Sequence, residues 1–146
     1  MLRVRGMLAC TALAAALPAA RAAAQNALPT VVAAAFHQAY PAARILNVSR
    51  ERRDGQVVYE IESRDGATRR DLIYTTAGAV LEIEERIPPD SVPAAVRAAA
   101  DSQVRGGALV GAERVTRGAV VLFEVEMRRN GRSRFLTFDP EGRPRE

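Results

Sequence analysis

The chain has 146 residues, with 21 basic residues, every one an arginine, against 17 acidic ones. It holds one cysteine, Cys10, and no tryptophan. Removing the first 24 residues as a leader takes away Cys10 and three arginines, so the mature chain has 18 basic residues against 17 acidic ones. That near-neutrality argues against nucleic-acid binding. The loss of the thiol excludes disulfides, thiol chemistry and thiolate metal sites.

The leader is read from its order. "MLRVRG" carries Arg3 and Arg5, "MLACTALAAALPAA" is apolar and uncharged, and "ARAAA" ends in small residues. Basic, apolar and small, in that order, is the pattern of a secretory signal peptide cut after Ala24. The apolar run is short for a bilayer span, which takes about 20 residues, and Pro18 interrupts it. The expected location is therefore periplasmic or secreted, with no stable membrane span after cleavage.

The remaining chain says nearly the same thing twice, sixty-four residues apart. Leu28-Pro29 lies over Val92-Pro93, Ile45-Leu46 over Leu109-Val110, Tyr59-Glu60-Ile61-Glu62 over Phe123-Glu124-Val125-Glu126, and Gly78 over Gly142. The division is a signal peptide over 1–24, a first repeat over 25–87 and a second over 88–146. The stiff, Pro-rich "IPPDSVP" joins the two.

Each copy opens with a helix. "LPTVVAAAFHQAYP" aligns Val32, Ala35, Phe36 and Ala39 on one stripe, with Pro41 ending it. In "DSVPAAVRAAADSQV" the stripe is Val92, Val96, Ala99 and Ala100. Asp90 or Ser91 is the expected cap and Gly106-Gly107 the stop. This second helix has no aromatic residue, so it should pack more closely or more weakly than the first.

Strands follow, punctuated by Asp54-Gly55, Asp65-Gly66, Ala77-Gly78, Arg117-Gly118, Asn130-Gly131 and Glu141-Gly142. They are expected at 43–53, 56–64, 68–76, 79–86, 108–116, 119–129, 132–139 and 143–145. Val57, Tyr59 and Ile61 alternate with Val58, Glu60 and Glu62. Val121, Phe123, Val125 and Met127 alternate with Leu122, Glu124, Glu126 and Arg128. One sheet face should pack on the helices and the other should meet water. The fold class is α+β: two tandem repeats, each one helix packed on a three- to four-stranded antiparallel meander sheet. Copies of this size are marginal alone, so the two should lean on each other.

The order "LP" or "VP" helix, "YEIE" or "FEVE", Gly-led turn, then "DLIYTTAG" or "FLTFDPEG" resembles the PepSY-like family, also described as beta-lactamase-inhibitor-protein-like. The resemblance spans about Leu28 to Glu146. It implies an exported bacterial protein with a helix on an antiparallel sheet, often duplicated. It also implies a role in binding or inhibiting other proteins, secreted enzymes among them. Related modules stand in the propeptides of thermolysin-type metallopeptidases. Unlike the disulfide-bearing beta-lactamase inhibitor, this chain has no mature cysteine, and no inhibitory residue carries over.

The residues offer little for catalysis. Glu60 with Glu62, and Glu124 with Glu126, are carboxylate pairs of the kind glycosidases use. An open sheet face gives no dry cleft to shift one pKa, and pairing with Arg50, Arg70 or Arg114 explains them more simply. His37 is the only histidine and is read as a surface or boundary residue. There is no G-x-S-x-G turn, no metal-ligand set and no phosphate-cradling loop, so no catalytic residue, metal or cofactor is assigned. Two candidate sites remain. The first is the charged face of Glu60, Glu62, Arg64, Glu124, Glu126 and Arg128, suited to a protein or peptide partner in the cell envelope. The second is the hairpin "RRNGRSR", where Arg129, Arg132 and Arg134 beside Arg128 suit an anion. The rival to a protein-binding module is an envelope protein binding a small anionic ligand or ion in the groove between repeats.

Overall fold

The computed structural model describes residues 27–145. The signal peptide and Cys10 lie outside the described residues. Helix α1 (Thr30–Ala39) leads into strands β1 (Arg44–Arg53), β2 (Gln56–Asp65), β3 (Thr68–Thr75) and β4 (Val80–Arg86). A 3-10 turn (Pro89–Ser91) and helix α2 (Ala94–Gln103) follow, then β5 (Ala108–Arg117), β6 (Val120–Arg129), β7 (Arg132–Phe138) and the short β8 (Pro144–Arg145). The fold is α+β: two helices and one antiparallel sheet of eight strands in chain order. The expected strand limits hold to within one residue, because glycine-bearing turns delimit them. At Asp54-Gly55 and Asn130-Gly131 both turn residues have positive φ, the geometry that matches the twist of a two-residue hairpin.

Both helices begin on a proline that cannot sit deeper in a helix. Pro29 and Pro93 occupy the N-cap positions, and their carbonyls accept from Ala33 N (2.9 Å) and Arg97 N (3.0 Å). This corrects the expected cap of α2. Val92 precedes a proline and is held extended, so Asp90 and Ser91 fall outside the helix in the 3-10 turn. Neither helix has a side-chain cap. Both end alike: Tyr40 N donates to Phe36 O (2.8 Å) and Val104 N to Ala100 O (2.9 Å).

The helices lie on one face of the sheet, each over its own apolar cluster. Under α1, Val32 and Phe36 pack with Tyr59, Ile61, Leu72 and Tyr74. Under α2, Val96 and Ala100 pack with Phe123, Val125, Met127 and Phe138. A fully buried residue of this kind contributes about 1.5–3 kcal/mol. Ala39, expected in the first stripe, is exposed; Tyr40, one residue on, closes the cluster instead.

The halves meet along β4 and β5, where Ile83 to Arg86 pair with Thr116 to Glu113. Two carboxylates of β4, on opposite faces, each take an arginine from either side of this seam. On the helix face Glu85 holds Arg70 (2.6 Å) and Arg114 (2.8 Å). On the other face the buried Glu82 holds Arg53 (3.5 Å) and Arg117. The strands on either side of the seam are therefore joined by a backbone ladder and two ionic clasps, and Ile87 just after β4 packs against the cluster under α2.

The face turned away from the helices is not wet throughout, contrary to the alternation rule. Val58, Ile73 and Val115 point that way and are 1%, 3% and 1% exposed. Each is flanked across the ladder by longer charged side chains: Val58 by Glu51, Ile73 by Glu60 and Glu82, Val115 by Glu84. The methylene stems of such side chains cover apolar surface while their heads reach water.

Candidate functional site

The sheet face opposite the helices collects the carboxylates. Strand alternation puts Glu60 and Glu62 of β2 there, and Glu124 and Glu126 of β6. The register adds Glu51, Asp71, Glu82, Glu84 and Glu113 from the strands between and beside them. Nothing in the sequence singled out these five as site residues; for Glu82 and Glu84, the apolar residues of "VLEIEER" on β4 do not mark one face. The register of β4 is fixed only by pairing to both neighbours.

Crowding perturbs the acids. Burial, and then the neighbouring Glu82 carboxylate, push Glu84 up to about 7, with Glu124 and Glu113 adding to the effect. Burial opposes ionisation of Glu82 itself, but Arg117 and Arg53 outweigh it and hold that carboxyl below the usual range. Asp71 is raised by burial and by Glu62 and Glu113, and Glu60 by burial and Glu51. Glu126 is lowered by the Ser133 hydroxyl and by Arg128.

The partners of the four glutamates differ from those expected. Arg50, Arg70 and Arg114 project from the helix-bearing face, where Arg70 stacks 5.1 Å over the Tyr40 ring. Glu60 instead accepts from Ser49 Oγ (3.2 Å), and Glu62 accepts from Asn47 Nδ2 (3.1 Å) with Arg69 at 3.9 Å. Glu126 pairs with Arg128 (2.8 Å). Glu124 has no ion pair among the described residues. Arg64 lies exposed on the same face as Glu62, near its end of β2.

Three of the β6–β7 hairpin arginines share one face, with Arg129 opposite Arg132 and Arg134 two residues further along β7. Arg128 lies on the carboxylate face beside Glu126, while Arg129, Arg132 and Arg134 alternate to the helix side. Arg134 Nη1 donates to the carbonyl of Gln103 (3.3 Å), the last residue of α2, where a cation favours the helix dipole. His37 is exposed on α1 with its ring 5.3 Å from Phe36. Among the described residues no cluster of His, Cys, Asp and Glu has the geometry to hold a metal ion, and no helix is long and apolar enough to cross a membrane.

The face also carries a cleft of ≈ 300 Å³ at the β5–β7 end, with Ile87, Pro89, Val110 and Phe135 among its walls and Glu113, Glu124 and Glu126 around it. Phe135 is 75% exposed. A second cleft of ≈ 510 Å³ at the seam is bordered by Arg53, Ile73, Glu82 and Arg117, and the Glu82 carboxylate in its wall pairs with both arginines.

No family model matches the chain, and no curated protein sequence matches it. Solved structures do match in fold. A Bacteroides eggerthii protein named as periplasmic superposes with a TM-score of 0.67 at 16% identity, over 81% of this chain and 86% of the other. A DUF2874 family protein of Bacteroides uniformis gives 0.65 at 19% identity, over 80% and 85%. A BLIP-like protein of Bacteroides fragilis gives 0.61 at 17% identity, over 80% and 82%. The described chain thus shares one fold with DUF2874 and BLIP-like proteins.

Proposed function

We propose that this is an exported, non-catalytic binding module of PepSY-like type, built as two tandem repeats. Its carboxylate-rich sheet face binds, and by doing so inhibits or escorts, a protein or peptide partner in the cell envelope. The observation that carries the reading is the asymmetry of the sheet. Both helices cover one face, and the eight strands leave the other uncovered and lined with nine carboxylates. An open, pre-formed, charged surface suits a partner that brings its own complementary charge. The fold shared with proteins named as periplasmic and BLIP-like supports export and binding.

The repeat reading is supported by details that recur at the same spacing. The β1–β2 ladder slips between Ile45 and Asn47, and the β5–β6 ladder between Leu109 and Gly111. Gly78 sits against the Val31 carbonyl in the first turn of α1, and Gly142 against that of Ala95 in the first turn of α2. Thr75 and Asp139 each use a side-chain oxygen to organise the turn that follows.

The rival, an anionic ligand between the halves, has less to stand on. The ladder closes the seam, and Arg53 and Arg117 beside the larger seam cleft already hold Glu82. Affinity capture from envelope extract tests the leading reading. A Glu124→Arg, Glu126→Arg variant with wild-type circular dichroism should lose the captured partner. Equal capture by both forms contradicts it. A thermal-shift screen with anions should leave the midpoint unmoved; a rise would favour the rival.

A further inference from the structure

The two halves differ sharply at one place on the uncovered face. In the first, Asn47 follows the bulge and its amide ties down Glu62 at 3.1 Å. The equivalent residue in the second is Gly111, opposite Glu126. Ser49 is replaced by Glu113, and Asp71, opposite Glu62, by Phe135, opposite Glu126. One side chain is removed, a carboxylate appears on β5 where one is lost from β7, and an aromatic ring stands 75% exposed at the edge. The cleft of ≈ 300 Å³ opens there.

Its chemistry is mixed in a specific way. Ile87, Pro89, Val110 and the Phe135 ring supply apolar wall. Glu126 is engaged by Arg128 and Glu113 by Arg86 at 3.4 Å, but Glu124 has no cationic partner among the described residues. We propose that this cleft seats a lysine or arginine side chain with an apolar neighbour, presented by the partner polypeptide, its charged head on Glu124. The proposal rests on the sheet face being the docking surface and names what that surface selects. The cleft has room for one long side chain, at the small end of ligand sites. The methylene stem packs on the apolar wall and the cation lies near the Phe135 ring. An anionic group would meet a cleft wall that stays net negative, with three carboxylates against the single cation of Arg86. On the adjoining strand β4, burial first, then the carboxylates of Glu82, Glu124 and Glu113, raise Glu84.

The first half supplies the variant that tests this. Gly111→Asn restores the residue found at position 47. A Cβ there sits 3.4 Å from Glu126 Oε2 and 3.6 Å from its Cβ, so the change fills the cleft without backbone strain. The probe is a displayed library of random dodecapeptides selected on the folded chain. The expected result is enrichment of peptides with Lys or Arg beside an apolar residue. Their binding should fall about tenfold or more in Gly111→Asn and in Glu124→Gln, both with wild-type thermal midpoints, and should weaken with salt. Enriched peptides that lack a basic residue, or bind Gly111→Asn as tightly as wild type yet fail on Glu60→Gln with Glu62→Gln, overturn the proposal and leave the docking face standing. If no enriched peptide responds to any substitution on this face, the docking reading falls with it.

Discussion

The two halves solve the same packing problem with opposite choices of residue. In the first, the helix supplies the bulk: Phe36 is fully buried, and the sheet beneath offers the small Ser63, 1% exposed. In the second, the helix has Ala100 at the matching position, and the sheet answers with Met127, also 1% exposed. The expected closer or weaker packing of α2 is thus met by volume moved from helix to strand. Cores tolerate such exchange when total volume is kept. The uncovered face shows no comparable compensation. Asn47, Ser49 and Asp71 become Gly111, Glu113 and Phe135, and a cleft results. Interior differences between the halves cancel; exterior ones accumulate.

That contrast can be broken most severely by separating the halves. A chain ending after Ile87 loses the β4–β5 ladder and the Arg114 and Arg117 arms of the two ionic clasps, and of the two apolar clusters keeps only the one under α1. It should show no cooperative transition in chemical denaturation, where the full chain shows one. A full-stability transition in the fragment would mean that the seam contributes nothing.

The volume exchange is sharpened by substitution within one half. Phe36→Ala should cost about 3–5 kcal/mol and Met127→Ala about 2–5 kcal/mol, read from urea midpoints. Met127→Ser with Ala100→Phe copies the first half into the second, and should recover part of the loss caused by Met127→Ser alone. A double-mutant cycle with no coupling between 100 and 127 would contradict the exchange.

Next comes the seam. Glu85→Gln weakens the clasp on Arg70 and Arg114 and should cost about 1.5–3 kcal/mol, the range for charge-assisted hydrogen bonds. The matching tyrosine and phenylalanine give a smaller effect. Tyr74 is fully buried with its hydroxyl unpartnered, and Phe138 occupies the same place in the second half. Tyr74→Phe should be neutral or stabilising by about 1 kcal/mol.

The mildest effect is on pH. Glu84 binds its proton more tightly folded than unfolded, so its contribution is fully present below about 4.5, the ordinary glutamate value, and is lost as pH rises through about 7. Asp139 works in the opposite sense. Burial opposes its charge, but the Arg143 backbone and side chain and Arg145 prevail and lower it to about 2. Its contribution stands above the ordinary aspartate value of 3.8 and is lost as pH falls through about 2. Thermal midpoints of Glu84→Gln should therefore decline less between pH 5 and 7 than those of wild type.

Much of this was legible in the residues. Glycine-led turns delimited every strand, and the helical stripes named Val32, Phe36, Val96 and Ala100. The placing of Glu60, Glu62, Glu124 and Glu126 together on the uncovered face followed from alternation alone. What stayed hidden depends on register between strands. Alternation puts Glu82 and Glu85 on opposite faces of β4, but nothing local in "VLEIEER" says that each clasps arginines from both sides of the seam. The cross-ladder flanking that shields Val58, Ile73 and Val115, and the cleft at Gly111, likewise arise only once neighbours are fixed.

The most direct test places a photo-crosslinking residue at Phe135 or Glu62 on the uncovered face, and at Gln38 or Ser102 on the helices, in protein exported by its native host. The account predicts partner adducts from the sheet positions and none from the helices. Adducts from the helices alone would contradict it.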